Sequence, residues 1–207
     1  MTSAHLSTRV TLRPMREQDI SPLAAIHLAA FRGFPNARLG RVYARAMLRW
    51  FFSNPNGIAI VAERDQTFCG YVVGAPLGYQ KAFARHMILP AILGYLTHPT
   101  AWANFRVLQS AWLRLRNLAC RANVSSEPTI PTPAYSLVSI AVAPPFRGQR
   151  IGQALIHAFE NAARARGAVA VRLTTRPENP AAIALYQTSG WQQLPYGRTL
   201  LYVKSLV

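Results

Sequence analysis

The stretch from Tyr135 to Trp191 constrains this chain most, because it spells strand, tight turn, helix, strand, loop and helix without interruption. Tyr135–Val142 is rich in β-branched and aliphatic residues, the composition of a buried strand. Pro144 and Pro145 end it, since proline cannot donate to a sheet ladder. Arg147 to Gly152 then opens a helix whose apolar residues Ile151, Ala154, Leu155, Ala158, Phe159 and Ala162 fall at helical spacing. Gly167 suits the left-handed cap that closes such a helix. Ala168–Thr174 reads as a second apolar strand, and a short helix starts at Pro180 with Asn179 placed to cap it.

The turn before the long helix is suited to anions. A glycine-containing turn at a helix N-terminus presents unpaired backbone N–H groups, and the helix dipole, Arg147 and Arg150 add positive charge. A diphosphate is the expected occupant. The plain alternative is a structural turn that binds nothing.

Three ordered pieces, Ile140-Ala141-Val142, Arg147 to Gly152, and Asn179-x-x-Ala182-x-x-Leu185-Tyr186-x-x-x-Gly190-Trp191, resemble the cofactor-binding core of the GNAT superfamily of N-acetyltransferases. The core is similar to that of ribosomal-protein N-terminal acetyltransferases. The resemblance implies a mixed α/β (α+β) fold: a strongly twisted, mostly antiparallel sheet with helices on both faces. It implies acetyl-CoA as acetyl donor and no metal. Ile140, Ala141 and Val142 would flank the pantetheine arm like an added strand. Arg147, Gly148, Gln149, Arg150, Ile151, Gly152 and Gln153 would hold the pyrophosphate, and Asn179 would approach the cofactor from across the cleft. Tyr186 would be the general acid for the departing thiolate, since a phenol with a pKa of about 10 stays protonated at neutral pH. The developing oxyanion would take a backbone N–H near Val142.

The chain departs from the family pattern twice. Arg150 stands where the phosphate loop usually carries its first glycine, and a side chain there is expected to keep φ negative and the backbone helical. Thr174 stands where the related acetyltransferases place a glutamate, so no general base is visible, and Ser139 is no strong base either.

Before this core, Thr8–Met15 reads as a first strand and Ser21–Phe31 as a helix capped by Asp19 or Ser21, with Ile20, Leu23, Ile26 and Ala30 on one face. His27 on that helix is read as a surface or packing residue. Phe31–Gly40 forms a loop, and by the resemblance it lines the acceptor pocket, with Phe31, Phe34 and Arg38 as substrate contacts. A second helix over Leu39–Phe52 packs Val42, Ala46, Leu48, Trp50 and Phe51 and shows Arg41, Arg45 and Arg49 to solvent. Ile58–Glu63 and Phe68–Ala75 form a strand pair. After the core, Gly190–Leu194 and Thr199–Leu206 close the sheet.

Residues 77–133 replace what would be a short connection, giving one domain over 1–207 with a basic helical insertion between its third and fourth strands. Two helices are expected in it. One runs from Tyr79 to Leu96, interrupted at Pro90, and one from Thr100 to Arg121 with Trp102, Phe105, Leu108, Trp112, Leu115 and Ala119 on one side. This insertion is open to three readings: packing or a homodimer contact, a lid over the acceptor, or a basic surface on anionic lipid.

The formal net charge of +16 comes mostly from arginine, Lys81 and Lys204 being the only lysines. Arginine-rich composition with few acids accounts for it, as would an anionic partner: the cofactor itself, an acidic acceptor, RNA or an anionic membrane surface. Cys69 and Cys120 are too few for a disulfide framework or a metal site. Without a signal-like apolar stretch at MTSAHLSTRVTLRP or a run of about 18 apolar residues, the expected location is cytoplasmic, with peripheral membrane contact left open. The expected function is N-acetyl transfer from acetyl-CoA to a small-molecule or peptide primary amine by direct attack in a ternary complex. The alternative is a non-catalytic protein of the same fold that uses its basic surface on RNA or membrane.

Overall fold

A computed structural model describes residues 9–32, 34–97, 129–197 and 199–207 of the chain. Strand β1 (Thr11–Pro14) and helix α1 (Ile20–Ala30) are followed by a 3-10 turn over Pro35–Leu39 and helix α2 (Gly40–Ser53). Strands β2 (Ile58–Arg64) and β3 (Thr67–Pro76) lead to helix α3 (Gln80–Thr97). The second half contains β4 (Ala134–Val142), α4 (Ile151–Arg164), β5 (Ala170–Thr175), α5 (Pro180–Thr188), β6 (Gln192–Tyr196) and β7 (Thr199–Ser205). The expected helix over Thr100–Arg121, and Cys120 with it, lies outside the described residues.

The seven strands form one sheet in the order β1-β2-β3-β4-β5-β7-β6. Every pairing is antiparallel except β4 with β5, which run parallel and touch only at Ala134↔Ala170, Tyr135↔Val171 and Ser136↔Arg172. Beyond Ser136 the two strands part. Each face of the sheet has its own core. Leu155, Ile156, Phe159, Val171, Leu173, Trp191 and Tyr202 pack on the α4 face, and Leu23, Tyr43, Leu48, Phe51, Val61, Tyr71 and Val73 on the α1/α2 face.

Local chemistry explains the boundaries. Helix α4 ends where Gly167 takes φ +79°, with Gly167 N–H donating to the Arg164 carbonyl and Ala168 N–H to that of Ala163. Pro195 is tolerated in β6 because that strand is an edge. Glu160, buried on α4, accepts from Lys204 Nζ at 2.8 Å and from Trp191 Nε1 at 2.8 Å, which ties α4 to β7 and to the end of α5.

Several expectations are corrected. Pro90 does not interrupt α3, which runs through it. Met87 and Ala91, on either side of the proline, pack into the α1/α2 core, and tertiary packing can outweigh a local proline penalty of about 3 kcal/mol. The buried face of α2 is Tyr43, Ala44, Met47, Leu48 and Phe51, while Val42 is exposed. Asp19 does not cap α1 through its side chain. Its carboxylate accepts from Arg13 Nη1 at 2.6 Å and from the Arg16 N–H at 2.7 Å. The guanidinium and the backbone N–H hold it below the usual carboxylate range against the opposing effect of burial.

Candidate active site

A cleft of about 860 Å³ opens where β4 and β5 diverge. Its walls come from both cores. Ile151, Leu173, Leu185 and Tyr186 stand on the α4 side, and Ala30, Phe31, Tyr43 and Met47 on the α1/α2 side. The cleft therefore runs through the sheet rather than lying on one face of it.

Strand β4 carries a bulge at this point. Val73 pairs with Ser139 but Gly74 with Leu137, leaving Val138 as the extra residue. Val138 packs with the α1/α2 core and Ser139 bonds into it, so two successive residues face the same side. Ile140 and Val142 then face the other. The bulge turns Ser139 toward the cleft, which it lines.

Behind Ser139 lies a buried polar chain. Its Oγ is 2.9 Å from Tyr71 Oη, and Tyr71 Oη is 2.5 Å from His27 Nδ1. Tyr71 is wholly buried and its phenol is pushed well above the usual value by that burial. Burial also presses His27 down to about 4, so the imidazole is neutral at pH 7. His27 thus packs, as its sequence context suggests, and it also lines the cleft. Its hydrogen-bond partners are 44 and, through Tyr71, more than 100 positions away, beyond any local pattern.

At the other end stands the turn before α4. Gly148 has φ +75° and Arg150, the residue preceding the helix, has φ +60° and ψ +11°. Arg150 is thus left-handed, not helical as expected. The loop imposes a conformation that glycine accepts freely and an L side chain at a cost of roughly 1–2 kcal/mol. The arginine keeps the backbone geometry of a glycine and adds a charge. Residues with left-handed backbone in such turns direct neighbouring peptide N–H groups to one side, an anion-receptive arrangement. Gly152 lets α5 approach, since a Cβ there would sit 3.1 Å from Leu185 Cδ2.

Most of the candidate residues meet here. Ile140, Ala141, Val142, Arg147, Gly148, Arg150, Ile151, Gly152, Gln153, Asn179, Tyr186, Phe31 and Phe34 all line the cleft. Two do not. Gln149 folds its amide onto the Pro145 carbonyl at 3.2 Å, and Arg38 is exposed on the 3-10 turn outside the cleft. Asn179 caps α5 by accepting from the Ala182 N–H. Tyr186 is 5% exposed, packed against Tyr202 and Trp191 with ring centroids at 5.4 and 6.1 Å. Burial first, and Tyr202 second, raise its phenol well above the usual value, so it keeps its proton throughout the neutral range. Sequence reasoning passed over Tyr71, Thr175 and Arg176. Arg176 lines the cleft with its guanidinium carbon 5.1 Å from the Phe34 ring centroid.

No cluster of His, Cys, Asp or Glu among the described residues could hold a metal ion. None of their helices is long and apolar enough to cross a membrane.

The sequence profile of the acetyltransferase (GNAT) family matches residues 23–191. The chain belongs to the GNAT acetyltransferase family. Among solved structures it is similar to an aminoglycoside N-acetyltransferase in complex with CoA, at 13% identity and a TM-score of 0.60 over 91% of each chain. A ribosomal-protein-alanine N-acetyltransferase from Brucella melitensis shares 18% identity and a TM-score of 0.59, covering 94% of this chain and 99% of that one. An N-acetyltransferase from Thermoplasma acidophilum in complex with coenzyme A gives 12% identity and a TM-score of 0.56, over 95% and 99%. At these identities the likeness speaks for the fold.

Proposed function

We propose that the cleft binds acetyl-CoA from the α4 side and passes its acetyl group directly to a primary amine held on the α1/α2 side. The observation that carries this is the through-sheet cleft itself. Its lining brings together an anion-receptive loop, a buried phenol and an aromatic pocket. Bound acetyl-CoA supplies an acyl group activated as a thioester.

The chain's own residues do the rest. The backbone over residues 148–153, with Arg147 and Arg150, holds the diphosphate. Ile140 and Val142, on the edge of β4 that has lost β5, offer backbone groups to the pantetheine amides, the Val142 carbonyl already accepting from Arg147 Nε at 3.3 Å. Asn179 sits on the opposite wall, although its side chain is already engaged in capping. As the amine nitrogen bonds to the acetyl carbon and the C–S bond breaks, Tyr186 gives its hydroxyl proton to sulfur. The surplus amine proton leaves to water in the open cleft, where the phenol recovers its own. His27 is too poor a base to keep that proton, and the chain from Ser139 through Tyr71 to His27 fixes the acceptor wall.

The test is the melting temperature with and without CoA or acetyl-CoA, because a ligand that binds only the folded state raises it by mass action. A rise of several degrees at millimolar cofactor is expected. An unchanged value would overturn acetyl transfer and leave a binding role for the basic surface, on RNA or an anionic membrane, as the reading to pursue.

A further inference from the structure

The charges around the cleft are one-sided. Arg147, Arg150 and Arg176 line it, and no carboxylate does among the described residues. Each described acid is engaged or placed elsewhere. Asp19 and Glu63 hold Arg13, Glu17 meets Arg49, and Glu160 meets Lys204. Asp65 sits in the β2–β3 turn, and Glu178 is exposed and outside the lining. His27, at the acceptor wall, carries no charge at pH 7.

A diphosphate at the α4 turn offsets Arg147 and Arg150. Arg176 belongs to no part of that turn: it follows β5 and lies over the ring of Phe34. Phe34 in turn packs edge-on to Phe31 at 5.4 Å, and Phe31 packs on His27 at 4.6 Å. No hydrogen bond or ion pair holds the Arg176 guanidinium among the described residues, so its planar donors are available to a ligand.

An amine arriving as a bare cation would meet a second cation with nothing to balance either. Like charges at about 4–6 Å disfavour binding. An amine that brings its own oxyanion meets the opposite situation, because a guanidinium binds a carboxylate or phosphate through two parallel hydrogen bonds.

We propose that the acceptor is an amine that carries its own oxyanion on an apolar or aromatic body. Arg176 grips the oxyanion, and Phe31 and Phe34 contact the body. This rests on the acetyl-transfer reading, from which its test separates cleanly.

The experiment measures CoA release from acetyl-CoA with four probes of one shape: phenylalanine, its phosphonate analogue 1-amino-2-phenylethylphosphonate, phenylalaninamide and 2-phenylethylamine. One of the two probes that carry an oxyanion is expected to exceed both that lack one by at least tenfold in kcat/KM, and the order of the first two tells carboxylate from phosphate. Arg176→Gln should erase that preference while the melting-temperature rise with acetyl-CoA persists. The conservative Arg176→Lys should restore part of it, since a point charge lacks the bidentate fork.

Equal or better turnover of the probes that lack an oxyanion would overturn the proposal. So would no response to any probe in a protein that still binds acetyl-CoA. A loss of acetyl-CoA binding in Arg176→Gln with acceptor preference unchanged would also overturn it, by assigning that arginine to the cofactor. A wild-type protein that does not bind acetyl-CoA at all would instead sink the underlying transfer reading.

Discussion

Arg150 separates strain from charge within one residue. Its left-handed backbone means that Arg150→Gly should be more stable than Arg150→Ala by about 1 kcal/mol, read as a shift in urea midpoint. Both variants lose the guanidinium and should weaken acetyl-CoA alike, which isothermal titration would show. Tyr186→Phe should lower turnover by about 10²-fold while keeping the cofactor-induced rise in melting temperature. His27 sets a stability change with pH. Its folded pKa of about 4 lies below the ordinary 6.5, so the unfolded chain takes up the proton first as pH falls. Stability is full above pH 6.5 and declines as pH drops toward 4, by up to about 3 kcal/mol. His27→Gln should flatten the urea-midpoint profile across that window, and a profile as steep as wild type would deny His27 this role.

At the scale of elements, Glu160 is the test of how the second half is fastened. Its carboxylate meets Lys204 and Trp191 from α4, so Glu160→Ala leaves a buried indole N–H without a partner and the half-buried Lys204 ammonium with the Ser189 carbonyl but no countercharge. A loss of about 3 kcal/mol is expected in denaturant unfolding, with Glu160→Gln losing less because it still accepts from Trp191. This scale also shows what the sequence made legible. Asn179 and Pro180 mark the start of α5 because a cap is a contact across three residues, and Gly167 ends α4 for a similarly local reason. The β4 bulge at Val138 leaves no trace in composition, since it is a disagreement in register with a strand some 65 positions earlier. Pro90 misled for the converse reason. Its local penalty is visible in the sequence, and the core packing of Met87 and Ala91 beside it is not. The left-handed Arg150 belongs with these, because only the assembled loop dictates that backbone.

For the whole molecule, the net charge of +16 and the three arginines of the cleft make binding of a polyanionic cofactor depend on salt. Raising the salt from about 50 to 500 mM shrinks the screening length from roughly 14 to 4 Å and should weaken acetyl-CoA several-fold. Arg150→Ala should show a shallower dependence, measured by titration at each ionic strength.

The parting of β4 from β5 has a kinetic consequence. A cleft walled by both cores of the sheet leaves room for donor and acceptor at once, so neither has to leave before the other can arrive. Spent CoA should then compete with acetyl-CoA alone, and the acetylated product with the amine alone. Parallel double-reciprocal lines, the mark of an acetylated enzyme that forms and releases CoA before the amine binds, should not appear.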